Sequence, residues 1–237
     1  MPSVLARAEK EKADTGKEVT RYTRIAQRWW QFYDYRPGTI AAINSVPRYV
    51  AISRVTKRPI FEFVSREIHA DTALVIFPLP DDYSFGILQS GIHFEWFKAR
   101  CSSLKGDYRY TSDTVFDTFP WPQSPTRPHI EAVATAAVAL RTLRREVMAK
   151  LGYSLRDLYR TLEEPGANPL RDAHAALDAA VRAAYRMPKD ADILQFLLDL
   201  NLACAAKEAA GDPITPPGLP LPPEDHAAFI TDDCIRV

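Results

Sequence analysis

The chain has 237 residues, enough for one large domain or two small ones, and its 46% hydrophobic and 25% charged content is that of an ordinary globular protein. No apolar run approaches the roughly 20 residues that cross a bilayer, and the charged N-terminus is unlike a signal peptide, so the sequence predicts a cytoplasmic protein with no membrane partner. Three widely spaced cysteines without a CxxC pair indicate neither a disulfide framework nor a zinc site.

The net charge is zero, which by itself argues against a nucleic-acid binder. The charges are nevertheless unevenly distributed along the chain. Residues 1–60 contain 12 Lys and Arg against 5 Asp and Glu, so this part carries +7 and the remainder carries −7. Such an asymmetry allows a basic face on one part of the protein.

The N-terminal part is predicted to begin with a helix and continue with strands. Residues 5–34 favour a polar helix that becomes aromatic towards its end, and Arg36-Pro37-Gly38 interrupts the pattern. Strand-like composition then marks two segments joined by a turn at 56–59, namely residues 48–55 and 60–64.

A buried strand and a further helix are predicted next. The continuous apolar run at 72–77 fits a buried strand. Asp82 is expected to cap a helix from about residue 83 to residue 98, whose apolar positions recur at helical spacing. These positions are Phe85, Leu88, Ile92 and Trp96.

The composition changes to Ala, Leu and Arg after a Pro- and Ser-rich linker at 123–128. Apolar periodicity predicts four helices in this part, over residues 130–151, 154–163, 168–187 and 190–210. The predicted fold class is therefore α+β. It comprises a mixed α/β domain with an N-terminal helix over 1–127, an α-helical bundle over 128–211 and a Pro-rich tail over 212–237.

The stretch 103–110 has the most informative pattern of charges in the chain. Because side chains alternate faces in an extended segment, Lys105, Asp107 and Arg109 can project from one face, with Tyr108 and Tyr110 on the other. A lysine can donate to guanine O6 and N7, and a carboxylate can accept from cytosine N4, so this pattern suits the edge of a base pair. The alternative interpretation is a solvated surface strand.

Motifs for an independent reaction are absent from the sequence. It contains no GxGxxG, no GxxxxGK[ST] and no GxSxG. His69 with Asp71, and His93 with Glu95, have the spacing of metal-ligand pairs but lack further ligands, so neither a metal site nor a catalytic residue is predicted. His93 falls inside a predicted helix and is expected to be a hydrogen-bonded structural histidine. An independent enzyme using the His and Asp residues of 69–95 is the weakest hypothesis.

Several segments carry a family resemblance through their order and spacing. They are Trp29-Trp30, Arg36-Pro37, Arg48–Val55, Phe85–Ser90 with His93 and Trp96, Tyr108–Thr111, Phe119–Pro122, Leu158-Tyr159 and His174-x-x-Leu177-Asp178-x-x-Val181-x-x-Ala184-Tyr185. Over roughly residues 20–205 the chain resembles the C-terminal half of type II restriction-modification proteins that fuse methyltransferase, endonuclease and target recognition. It is also similar to related adenine-specific DNA methyltransferases.

The resemblance implies a target recognition domain followed by a C-terminal helical domain, with the catalytic methyltransferase domain upstream. We therefore expect no catalytic residue, metal or cofactor in this chain, and S-adenosylmethionine in the catalytic domain that it is expected to lack. The implied partners are duplex DNA and a methyltransferase catalytic domain or subunit. The sequence departs from the family at Arg160 and Arg186, where asparagine and glycine are usual and where predicted helices end.

The resemblance also implies roles for individual residues. In the family, the positions matching Lys105 and Asp107 vary together with one base pair, and the Lys/Asp combination goes with guanine. Arg109 matches a residue that helps to read a neighbouring base pair. Three basic residues near the predicted turn are candidate phosphate contacts, although an exposed basic turn without a ligand is the alternative. They are Arg54, Lys57 and Arg58.

A second functional hypothesis is a protein-interaction module. The Ala- and Leu-rich helices over 129–210 could dock on a separate methyltransferase or helicase subunit, leaving DNA contact to that partner.

Overall fold

The protein has the α+β fold that the sequence predicts, with two small antiparallel sheets and a helical C-terminal part. A computed structural model describes residues 2–16, 36–104 and 107–236. Contacts divide the chain into two compact units, Met1–Ala42 and Ile43–Val237.

The first unit contains a polar helix, α1 (Pro2–Thr15). The side chains of residues 9–16 are exposed. The predicted aromatic continuation of this helix falls in residues 17–35, which lie outside the described residues. A second helix, α2 (Pro37–Asn44), begins in this unit and ends in the next.

The first sheet is antiparallel and has the strand order β3-β1-β4. Its strands are β1 (Arg48–Ser53), β3 (Glu62–Ser65) and β4 (Leu74–Phe77). Val50 at the centre of β1 lies opposite Phe63 and Phe77. The buried strand predicted at 72–77 corresponds to β4, a shorter edge strand in which buried Val75 and Phe77 alternate with half-buried Leu74 and Ile76.

The second sheet has the order β2-β6-β5 and is also antiparallel. Its strands are β2 (Val55–Thr56), β5 (Ser102–Leu104) and β6 (Asp107–Arg109). The predicted strand 48–55 is thus divided at Arg54. The Arg54 amide donates to the carbonyl of Ala73 (2.7 Å) and its carbonyl accepts from the amide of Tyr110 (2.8 Å), so the chain passes from one sheet to the other here.

The predicted helix over 83–98 is two helices, α3 (Asp82–Gln89) and α4 (Gly91–Arg100). The prediction that Asp82 caps this helix is wrong by one residue. Asp81 is the N-cap of α3, and its side chain accepts from the Ser84 amide. Ser90 separates the two helices and caps α4 by accepting from the amide of His93 (3.2 Å). All four predicted apolar positions are buried.

The C-terminal part has the four predicted α-helices, with shorter bounds for three of them. They are α5 (Arg127–Leu151), α6 (Leu155–Arg160), α7 (Pro169–Ala184) and α8 (Ile193–Ala210). Gly152, with φ at 65°, ends α5, and a capping box between Ser154 and Asp157 starts α6.

One hydrophobic core extends from the strands through α3 and α4 into the C-terminal helices. Trp121 is buried in this core, and the hydroxyl of Tyr185, the C-cap residue of α7, donates to the carbonyl of Pro120 (2.8 Å). The division of the chain near residue 127 into two domains stays a prediction.

Buried charges join the first sheet, α3, α5 and the C-terminal tail. Asp82 Oδ1 accepts from Arg48 Nη2 (2.7 Å) and from Arg141 Nη2 (2.5 Å), and all three residues are almost fully buried. Asp233 accepts from both arginines as well. Next to it, Ile235 exchanges backbone hydrogen bonds with β3, so the tail forms part of the fold.

Candidate nucleic-acid interface

Strand β6 has one face towards the core and one away from it. The ring of Tyr108 packs edge-on against Phe94 and Phe97, at centroid distances of 6.1 and 5.9 Å. Asp107 and Arg109, which alternate with Tyr108, therefore project from the opposite face. Arg109 is exposed and Asp107 is half-buried. We call this pair of side chains the reading face.

A rigid aromatic core lies behind the reading face. Tyr110 is fully buried and its hydroxyl is 3.1 Å from Nε2 of His93. Burial lowers the pKa of His93 to about 4, so the imidazole is neutral at physiological pH. His93 is thus the hydrogen-bonded structural histidine that its helical position predicts.

The register of the second sheet fixes the neighbours of the reading face. Arg109 is paired with Val55 on β2 and with Ser102 on β5, and Asp107 is paired with Leu104. Directly opposed residues point to the same face of a sheet, so Ser102 flanks Arg109. Lys105, the predicted guanine reader, lies with Gly106 outside the described residues.

The three predicted phosphate contacts lie on or next to β2, beside the reading face. Lys57 is exposed. Arg54 binds the loop that precedes β4, because its Nε donates to the carbonyl of Thr72 (2.8 Å). Arg58 donates from Nη1 to the carbonyl of Tyr159 (2.6 Å) and lies 3.8 Å from a carboxylate oxygen of Glu163.

The structure thus places two of the six predicted site residues on β6 and three beside the adjacent strand β2, and Lys57 is the most exposed of these three. Sequence reasoning missed that Arg54 and Arg58 each bind a main-chain carbonyl. No local signal could have revealed this, because Tyr159 is about a hundred residues from Arg58 in the chain. Each guanidinium keeps further N–H donors for a second partner.

In the parts of the chain that the structure describes, no group of three or more His, Cys, Asp or Glu side chains is arranged to hold a metal ion. No helix within these same parts is long and apolar enough to span a membrane.

The α+β fold and the exposed charged strand define a candidate recognition domain, and comparison with known proteins gives its family. Residues 2–123 match the family described as MmeI, target recognition domain, over more than half of the chain. The chain therefore belongs to the MmeI target recognition domain family.

Two known proteins are similar to this chain. DNA methyltransferase A of Bacillus subtilis (strain 168) is 37% identical over 123 residues, which are 50% of this chain and 13% of that protein. The type IIL restriction-modification enzyme MmeI, solved in complex with DNA, matches with a TM-score of 0.62 and 24% identity. The match covers 86% of this chain and 26% of the MmeI chain, and it shows a shared fold. The chain thus spans a small part of the length of each relative.

Proposed function

We propose that this chain is the sequence-reading module of an adenine-N6 DNA methyltransferase or type II restriction-modification protein. It binds duplex DNA and positions it for a methyltransferase domain that flips the target adenine out of the stack. That catalytic domain, elsewhere in the protein or in a separate subunit, binds S-adenosylmethionine, and residues of this chain take no part in the chemical step.

The reading face is the observation that carries this proposal. Asp107 and Arg109 project away from a strand whose tyrosines are held in the aromatic core, so the charged side chains are presented on a rigid support. The antiparallel pair of β5 and β6 is the kind of β-ribbon that enters the major groove, where base edges are distinguishable. Asp107 accepts from cytosine N4, Lys105 donates to the paired guanine, and Arg109 reads a neighbouring base pair. Lys105 enters the proposal from the sequence alone.

The basic residues beside β2 supply the contacts that do not depend on sequence. Exposed Lys57 binds a phosphate directly. Arg54 and Arg58 add positive charge while their hydrogen bonds to carbonyls hold the segment in place.

Base reading is tested by selecting randomised duplexes with the full 237-residue chain and sequencing the bound fraction. The wild-type chain is expected to prefer guanine·cytosine at one position. Changing Lys105 and Asp107 together to alanine removes about 1–3 kcal/mol of discrimination at that position and leaves the others intact. Asp113→Ala, which removes an exposed acid from the neighbouring π-helical turn, is the matched control and keeps the preference. Equal weakening of every duplex by the double variant would rule out base reading.

Phosphate binding is tested by measuring affinity as a function of salt concentration. Lys57→Ala is expected to weaken all sequences alike and to reduce the slope of log K against log salt by about 0.9. An unchanged slope would remove Lys57 from the interface.

A protein-docking role for the helical part is the second candidate function. Three leucines spaced four residues apart on α8 are exposed, namely Leu194, Leu198 and Leu202, at 38, 43 and 59%. Such a stripe on one helix face favours contact with another apolar surface. Co-purification with the product of a neighbouring gene, together with no DNA binding by the isolated chain, would favour this role over the first.

A further inference from the structure

The segment that carries Lys57 and Arg58 lies directly against the C-terminal end of α6. Arg58 Nη1 donates to the carbonyl oxygen of Tyr159 at 2.6 Å, and the guanidinium carbon lies 6.0 Å from the centre of the Tyr159 ring. Tyr159 is itself buried. The basic segment beside the reading face therefore continues without a gap onto the helical part of the protein.

Two arginines occupy the outer face of α6. Arg156 and Arg160 are four residues apart, so their Cβ atoms are about 5–6 Å from each other on one side of the helix. Leu158 and Tyr159, on the other side, are buried. Arg156 is exposed, and the side chain of Arg160 is 61% exposed.

The acidic residues near these arginines are engaged elsewhere or held loosely. Asp157 caps its own helix, because its Oδ2 accepts from the Ser154 hydroxyl at 2.6 Å, and this hydrogen bonding lowers the pKa of Asp157. Its other oxygen is 4.0 Å from Arg160, and an exposed ion pair of this kind contributes little. Glu163, near Arg58, is highly exposed. A phosphate can therefore compete with Asp157 for Arg160 and with Glu163 for Arg58.

We propose that Arg156 and Arg160 bind backbone phosphates of the same duplex that the reading face contacts, so that α6 forms part of the DNA-binding surface. This inference rests on the proposed function and extends it from the sheet to the helical part. Since the segment that carries Lys57 and Arg58 contacts α6 at Tyr159, the two arginines bring the proposed surface to four cations. Each strand of a duplex carries one charge per 3.4 Å of axis, so a pair of arginines one helical turn apart meets neighbouring phosphates.

The test is a salt titration of duplex binding by the full chain, comparing the wild type with the double variant Arg156→Ala/Arg160→Ala. Each lost phosphate contact lowers the slope of log K against log salt by about 0.9, so the double variant is expected to lower it by nearly 2. At low salt its affinity falls by about tenfold or more for every sequence. The base preference found by selection stays that of the wild type.

The matched control removes the same amount of charge from the far end of the helical part. Lys189 and Lys207 are both exposed, and Lys189 follows the end of α7 that is distant from Tyr159. Lys189→Ala/Lys207→Ala is expected to keep the wild-type slope. If the α6 variant also keeps that slope while Lys57→Ala lowers it, the role of α6 is wrong and the proposed function stands. If the wild-type chain binds no duplex, both are overturned.

Discussion

At the scale of single residues, the buried carboxylate of Asp82 is the shared partner of two buried arginines. It accepts hydrogen bonds from Arg48 and Arg141, and no other acid in the described chain contacts both of them except Asp233 on the tail. Burial lowers the pKa of Arg48, and the charge of Asp82 acts against this. The Asp82 carboxylate therefore offsets positive charge that the two arginines place in the core.

Asp82→Asn is therefore expected to destabilise the protein by about 3–5 kcal/mol, because it leaves two buried cations with one remaining partner. Asp225→Asn is the control, since Asp225 forms a partly exposed ion pair with Arg127 and should cost less than about 1 kcal/mol. Urea denaturation of both variants measures the difference. Equal small losses would mean that water reaches the buried charges.

Arg186 occupies a backbone conformation that favours glycine. Its φ is 52°, just after the C-terminal end of α7, which agrees with the glycine that the family resemblance leads us to expect at this position. Arg186→Gly is expected to raise the free energy of unfolding by about 0.5–1 kcal/mol. Arg182→Gly, four residues earlier inside the helix, should lower it by about 1 kcal/mol. Thermal unfolding compares the two, and the same sign for both would contradict the explanation.

At the scale of elements, α3 and α5 pack closely because Gly86 has no side chain. A Cβ atom there would lie 2.7 Å from Val133 Cγ1 and 3.2 Å from Ala137 Cβ. Gly86→Ala is expected to cost about 1–3 kcal/mol through overpacking. Adding Val133→Ala should recover part of this loss, which a double-mutant cycle measures. Gly38→Ala, with nothing within 4 Å of the added Cβ, is the near-neutral control.

The elements that could be predicted are those with a strong local signal. The four C-terminal helices follow from apolar periodicity and from caps such as Ser154 and Gly152. The strand over 48–55 could not be divided correctly, because its break at Arg54 depends on amide partners in Ala73 and Tyr110. The break after Gln89 is fixed by Ser90, and Ser90-Gly91 is a local turn signal that the continuous apolar spacing from Phe85 to Trp96 conceals.

The candidate site was predictable for a related reason. Alternation alone places Asp107 and Arg109 on one face and the tyrosines on the other, and the strand has this arrangement. The partners of Arg54 and Arg58 are carbonyl groups brought near by the tertiary fold. The sequence shows which residues are basic, but it does not show which of them donate hydrogen bonds to main-chain carbonyls in the folded protein.

At the scale of the whole molecule, the tail joins elements that are distant in sequence. Asp233 bonds to arginines of β1 and α5, while Ile235 extends β3 by backbone hydrogen bonds. Burial opposes ionisation of Asp233, yet the hydrogen bonds of Arg141 and Thr231 hold its pKa well below the usual range. The C-terminal tail therefore stabilises the first sheet, and it couples the stability of that sheet to the stability of α5.

One fully buried histidine, His93, and one half-buried histidine, His174, make the stability of the folded protein depend on pH. Burial lowers the pKa of His93 to about 4, and burial with the charges of Arg144 and Arg58 lowers the pKa of His174 to about 3. Both pKa values lie below the ordinary 6.5 of histidine. As the pH falls from 6.5 towards 4, the histidines of the unfolded chain therefore bind protons that those of the folded protein do not. Their contribution to stability is complete above pH 6.5 and is lost as the pH falls, at about 1.4 kcal/mol per unit for each histidine.

His174→Gln is expected to flatten this decline by about one proton between pH 6.5 and 4, measured by urea denaturation at a series of pH values. The comparison with the wild type is needed because burial raises the pKa of Glu62, Asp81 and Asp178, which act in the opposite sense. The same change at exposed His69 is the matched control. If the His174 variant declines as steeply as the wild type, folding does not lower the pKa of His174.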